Sequence, residues 1–228
     1  MLDLDATYFF QPAFTPYGVL YNELLTRVTD YDSDYFFESA EENVLLELLR
    51  EQMNVVCISR ASSPVGVNIE PRLLKHRSTF HILLRGLKSG DYIEITERGY
   101  DSLDSSSLNN LQLISDAGIK LVLDDITLSN FDNGLLNQMN LSFVKLDKHE
   151  FWSAIKSDSV LEHLHRLVNL LTKHDCSLIV EGIESLEQLI ICKKSGVYAH
   201  QGFYLSRPLN AKTNIYNKAS YLPFFNCE

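Results

Sequence analysis

Acidic residues recur where short apolar runs end. Glu23 follows Gly-Val-Leu-Tyr-Asn, and Glu94 lies within Tyr-Ile-Glu-Ile-Thr-Glu. Asp124 and Asp125 close Lys-Leu-Val-Leu-Asp-Asp, and Glu181 closes Ser-Leu-Ile-Val-Glu-Gly. Lys145 and Asp147 sit in Phe-Val-Lys-Leu-Asp. A carboxylate at the end of an apolar strand is costly to bury without a partner. Four strands that end this way point to one shared cation site. Taken one at a time, each residue has a plainer reading. A lone Asp or Glu at a strand end is commonly a helix cap or a surface group. Asn68 and Gln201 could bond to strand backbone, and Lys145 could pair with Asp147 or another carboxylate. Asp147 and Glu184 read as structural supports.

The elements that must carry these residues alternate. Strand-like runs are read at 7–11, 18–25, 65–69, 92–96, 121–125, 143–147, 178–182 and 201–205. Most are short and apolar, as in a parallel sheet covered on both faces. Helical patterns fall between them. The stretch 39–52 opens on Ser-Ala-Glu-Glu, which reads as a capping box. Pro71 suits the first turn of a helix over 71–87. The stretch 105–117 stops at Gly118. Further helices are read over 150–174, 185–195 and 210–219. Strand alternating with helix about eight times predicts an α/β fold, a (β/α)8 barrel. The first two strands are separated by only about six residues, with Pro12, Pro16 and Gly18 in the gap, so they should pair antiparallel. An open doubly wound sheet is the alternative, and it too would place ligands at strand C-termini.

Composition narrows the classes. The 228 residues, 45% hydrophobic and without a linker-like stretch, predict one domain over 1–228. A net charge of −10 argues against a basic groove for nucleic acid. Cys57, Cys176, Cys192 and Cys227 are scattered, with no zinc spacing, which fits a reducing compartment. No apolar run approaches the roughly 20 residues of a membrane span. The acidic N-terminus does not read as a signal peptide. A cytoplasmic, membrane-free protein is the expectation. The tail 220–228 carries Tyr221, Phe224 and Phe225, which read as a lid on the barrel or as an aromatic patch for a partner.

Eight strings in order resemble the EAL-domain family of cyclic-di-GMP phosphodiesterases. Phe10-Gln11-Pro12 resembles the family's YQP. Glu23-Leu24-Leu25-Thr26-Arg27 sits where EALLR would, and Val67-Asn68-Ile69-Glu70-Pro71 resembles VNLSP. Glu94-Ile95-Thr96-Glu97 is EITE, and Leu123-Asp124-Asp125 opens like LDDFGTG. Lys145-Leu146-Asp147 resembles KID, and Val180-Glu181-Gly182-Ile183-Glu184 resembles AEGVE. The last string, 201–209, is similar to QGYLFSRPL. The resemblance implies a barrel with an antiparallel first strand. It also implies two Mg²⁺ or Mn²⁺ ions that activate a water to open cyclic-di-GMP to linear pGpG. By position, Glu23, Asn68, Glu94 and Asp124 would hold the first ion and Asp125 would serve the second. Lys145 and Glu181 would orient or deprotonate the water. Gln201 and Gln11 would border the substrate, and Arg27 would contact phosphate. Glu97 would brace the loop that follows Asp125. Oxygen donors suit Mg²⁺, paired ions suit phosphodiester displacement, and an arginine fork suits phosphate.

One string departs. After Asp125 the family has Phe-Gly-Thr-Gly, and this chain has Ile126-Thr127-Leu128-Ser129. Where those glycines need positive φ, other residues adopt the loop at a cost. The chain therefore also resembles short, stand-alone EAL-like regulators of the YdiV type. These bind the FlhD subunit of the flagellar activator FlhDC and repress motility. On the strength of the altered loop, the resemblance implies a protein-binding regulator with FlhD as partner and no metal need; the alternative is a cyclic-di-GMP phosphodiesterase with Mg²⁺ or Mn²⁺.

Overall fold

The two-residue period of the strands decides which side chains meet inside the barrel. A computed structural model describes residues 5–59, 63–96, 99, 103–127, 133–156 and 159–211. Strands β1 (Ala6–Thr15) and β2 (Gly18–Val28) form an antiparallel hairpin in which Gln11 faces Glu23. Strands β3 (Val65–Ile69), β4 (Tyr92–Ile95), β5 (Lys120–Ile126), β6 (Leu141–Leu146), β7 (Ser177–Val180) and β8 (Ala199–His200) follow as parallel neighbours in chain order. Pairing of Phe14 with His200 joins β1 to β8 and closes the ring. The fold is a (β/α)8-type barrel whose first strand runs against the other seven. A two-residue strand, β9 (Leu209–Asn210), lies along β1 at Phe9 and Phe10.

The helices are α1 (Ser33–Ser39), α2 (Glu42–Ser59), α3 (Arg77–Gly86), α4 (Ser105–Asp116), α5 (Asn133–Gln138), α6 (Lys148–Ala154), α7 (Val160–Thr172) and α8 (Leu186–Lys194). They bury their apolar stripes on the outward strand residues, such as Leu24, Val67, Ile93, Leu123, Val144 and Leu178. This layer between strands and helices is the main core.

The inward residues form a second, separate cluster of Ala13, Tyr21, Tyr92, Val122, Phe143, Ile179 and Ala199. Tyr21 stacks on Tyr92 at 4.3 Å between ring centroids. β3 contributes Gly66 here, because a Cβ at that position would lie 2.6 Å from the Tyr21 ring. Every member of this layer is two residues from a member of the polar layer above it. Ala13 pairs in this way with Gln11, Tyr21 with Glu23, Gly66 with Asn68, and Tyr92 with Glu94. Val122 pairs with Asp124, Phe143 with Lys145, Ile179 with Glu181, and Ala199 with Gln201. Because side chains alternate along a strand, one aromatic and aliphatic floor carries one ring of polar groups.

Several expected boundaries differ from the structure. The hairpin turn is only Pro16-Tyr17, because β1 runs on through Pro12 to Thr15. Ser39 ends α1 rather than capping α2, and its hydroxyl donates to the Tyr35 carbonyl. Helix α1 itself starts at an Asp32 cap. The helix read from Pro71 is a 3-10 turn at Pro71–Leu73 followed by α3. The helix read over 150–174 is divided into α6 and α7. The strand read over 201–205 is a turn after β8, in which Gly202 O accepts from Leu205 and Ser206 N–H. A side chain at Gly202 would place its Cβ 2.2 Å from the Ile183 carbonyl oxygen, so the close approach excludes one. Beyond Ala211, the stretch read as a helix and the aromatic tail 220–228 lie outside the described residues. No helix among the described residues is long and apolar enough to cross a membrane.

Candidate active site

Lys145 is the pivot of the polar ring. It rises from β6 and is 1% exposed. Its ammonium lies 2.5 Å from Glu94 Oε2, 2.6 Å from Glu181 Oε1, 3.0 Å from Asp124 Oδ1 and 3.4 Å from Glu23 Oε2. Glu94, Asp124 and Glu181 stand near or just past the C-terminal ends of β4, β5 and β7, and Glu23 lies midway along the longer β2. Burial alone would lower the Lys145 pKa, but Asp124, Glu181, Glu23 and Glu94 outweigh it and hold it well above the usual range. Of the plainer reading, a pair with Asp147 or another carboxylate, the structure shows the second. Asp147 instead caps α6, accepting from His149 and Glu150 N–H.

One ammonium faces four carboxylates, and the ring divides them. Burial raises the Glu23 carboxyl, but Lys145 and hydrogen bonds from Asn68 and Gln201 prevail and keep it below its ordinary value. Asn68 Nδ2 donates to Glu23 Oε1 and Gln201 Nε2 to Oε2, each at 2.8 Å. Burial, with the charge of Glu23 beside it, raises Glu94 well above the carboxylate range. Burial likewise raises Asp124 against the pull of Lys145, and it brings Glu181 to about 7. Groups so displaced and gathered in a cleft mark a functional site by their energetics. Fully ionised, the four carboxylates would carry more negative charge than the single lysine neutralises.

That excess fits a divalent cation. Oxygen atoms of Glu23, Glu94 and Asp124 lie within 4.8 Å of one another, as do those of Asp124, Asp125 and Glu181. Asp124 belongs to both groups. Glu94 Oε1 and Gln201 Oε1 are buried acceptors without a hydrogen-bond partner. A buried oxygen left without a donor is costly unless something electropositive faces it. The donor set is all oxygen, which suits Mg²⁺ or Mn²⁺ rather than zinc.

Strict alternation would turn Asp125 away from Asp124. Asp125 escapes it by adopting φ 49°, a left-handed conformation that Asp tolerates better than most residues. The β5–β6 register slips between Leu123 and Ile126 at the same place. Ile126 then returns to strand pairing opposite Leu146 and is buried. Both aspartates thus reach the barrel mouth without a glycine immediately after them. The rest of the altered loop, 128–132, and Glu97 lie outside the described residues.

The ring opens into a cavity of about 510 Å³. Its lining includes Gln11, Glu23, Asn68, Asp124, Asp125, Glu181 and Gln201. Gln11 is buried and donates to the Ser206 carbonyl at 3.2 Å. Arg27, two alternations beyond Glu23 on the same side of β2, is exposed at the rim and lines the cavity. Sequence reasoning did not single out Lys148 or Trp152, which also line it. Their signal was present as an i, i+4 pair directly after the Lys-Leu-Asp string.

The fold is a closed β/α barrel with an antiparallel first strand and, at its mouth, a carboxylate ring whose oxygens could hold a metal ion. The EAL domain profile matches residues 5–208, and the chain belongs to the EAL-domain family. It is 28% identical over 194 residues to the cyclic di-GMP phosphodiesterase TpdA of Vibrio parahaemolyticus. That match covers 81% of this chain and 34% of TpdA, so the chain spans about a third of that relative. Among solved structures, it superposes on the PaMucR phosphodiesterase, a cyclic-di-GMP complex, with a TM-score of 0.74 and 25% identity. There 91% of this chain and 98% of that one are covered. Klebsiella pneumoniae BlrP1, in a manganese and cyclic-di-GMP complex at pH 9.0, gives a TM-score of 0.79 at 21% identity, covering 92% and 58%.

Proposed function

We propose that this chain is a single EAL-like catalytic domain that hydrolyses cyclic-di-GMP to linear pGpG with Mg²⁺ or Mn²⁺. The observation that carries this reading is the doubled carboxylate constellation around Asp124, with buried acceptor oxygens that lack a donor. Glu23, Asn68, Glu94 and Asp124 would hold one ion, and Asp124, Asp125 and Glu181 the other. Bound divalent ions would lower the pKa of the attacking water and offset charge on the phosphodiester. Lys145 holds four carboxylates in register and keeps a fixed positive charge beneath the reacting phosphate. Glu181 would orient or deprotonate the attacking water. Gln201 fixes Glu23 from one side and Asn68 from the other. Gln11 borders the substrate, and Arg27 meets its phosphate at the rim. Glu97 would brace the following loop.

The test is turnover of cyclic-di-GMP by the purified chain in Mg²⁺ and in Mn²⁺, with pGpG separated from substrate. Wild-type turnover that Glu23→Ala abolishes supports the reading. Absence of pGpG in both metals, from folded protein, removes it.

A second reading is favoured by one feature, the replacement of Phe-Gly-Thr-Gly by Ile126-Thr127-Leu128-Ser129. In it the barrel is a scaffold that binds a protein, with FlhD as the partner, and needs no metal. Capture of FlhD by wild type and Glu23→Ala alike would favour it. Loss of capture in both would end it.

A further inference from the structure

Lys148 and Trp152 sit one turn apart on α6, and both line the cavity beside the carboxylate ring. Trp152 is the only tryptophan in the sequence. Its indole N–H donates to the Gly182 carbonyl at 2.7 Å, one residue past Glu181. Gly182 has φ 69°, and a Cβ there would stand 2.5 Å from Lys148 Cβ and 3.1 Å from Trp152 Nε1. The missing side chain therefore lets α6 close against the end of β7. His149 meets the indole edge-on at 5.4 Å. The indole is thus half-buried and fixed, yet it still borders the cavity. Lys148 is exposed beside it. Among the described residues that line the cavity, Arg27 and Lys148 are the cations, and the acidic groups of its mouth include Glu184.

A fixed aromatic face one turn from an ammonium, next to a cation-binding ring, matches a purine joined to a phosphate. We propose that Trp152 stacks on a purine of the nucleotide substrate while Lys148 meets its phosphate. Together they make α6 a base-and-phosphate wall of this chain's own. This inference rests on the cyclic-di-GMP reading above. Stacking on an aromatic side chain accounts for a substantial part of nucleotide affinity, and Trp emission responds to a stacked base.

The experiment uses the intact chain with cyclic-di-GMP in Ca²⁺ and in EDTA, followed by calorimetry and by intrinsic fluorescence. The expected result is binding heat and a change in Trp152 emission that saturate together. Trp152→Leu should weaken binding roughly ten-fold or more. Trp152→Phe, which keeps a ring but loses the bond to Gly182, should recover most of the affinity. Lys148→Met should weaken binding and flatten its salt dependence. Binding heat with unchanged emission, and equal affinity for Trp152→Leu, would overturn the wall and leave the cyclic-di-GMP reading standing. Absence of binding heat from folded wild-type protein in either condition would overturn that reading and the wall with it. Should Trp152→Leu fail to fold, wild-type emission still decides the matter.

Discussion

Lys145 is a buried ammonium whose partners outnumber it, so its removal should be costly. Lys145→Met leaves Glu23, Glu94, Asp124 and Glu181 facing one another in a low-dielectric ring. Breaking one side of a buried ionic cluster destabilises by about 3–5 kcal/mol. Urea unfolding in EDTA should show a loss of that order, and added Mn²⁺ should recover part of it. A variant as stable as wild type in EDTA would mean that the ring is already neutral. Gly66 offers a second test at this scale. An Ala Cβ would meet the Tyr21 ring at 2.6 Å and Glu94 Oε1 at 2.7 Å. Overpacking of this kind costs about 1–3 kcal/mol. Gly66→Ala should lower the thermal midpoint and displace Glu94, with weaker Mn²⁺ binding as the second readout. The carboxylates were legible in sequence because each closes an apolar run. Their sharing of one site was legible too, but the place of Asp125 in it was legible only through the family resemblance, because it depends on the positive φ of Asp125, which no composition reveals. Trp152 was not legible in the same way, because it sits on a helix and not at the end of an apolar run.

At the scale of elements, barrel closure rests on β1, which meets β8 through Phe14 and His200. His200 is fully buried at this seam, and desolvation is the main cause of a pKa lowered to about 4. An unfolded histidine titrates near 6.5. The unfolded chain therefore takes up this proton first as pH falls. The stability His200 contributes is fully present above about pH 6.5 and is lost progressively down to about pH 4. The shift corresponds to about 3 kcal/mol. Unfolding measured across that window should show a steeper loss for wild type than for His200→Gln, and parallel curves would contradict this origin. Element existence was read well where pattern and length agreed, as for β3, which matches its expected span. Boundaries failed where a local cap or close approach overrode the pattern. Ser39 looked like a capping residue but closes α1, and 201–205 looked like a strand but turns around Gly202. Helix α1 went unread because its seven residues are too few for a periodic signal.

Across the whole molecule, two inner layers at alternate residues explain why one barrel holds an acidic site at all. The floor of Tyr21, Tyr92, Phe143 and Ile179 excludes water from below and fixes the spacing of the ring above. The ring then strengthens every charge interaction it makes. A chain of net charge −10 would repel an anionic dinucleotide, and divalent ions at the mouth would reverse that repulsion locally. The ring around Asp124 is thus proposed as a divalent-cation centre. Calorimetric titration of the metal-free protein with Mn²⁺, beside Asp124→Asn, tests it most directly. Asp124 belongs to both oxygen groups, so the account predicts saturable Mn²⁺ binding in wild type and its loss in the folded variant. Folded wild type that takes up no Mn²⁺, or Asp124→Asn that binds it equally well, would contradict the account.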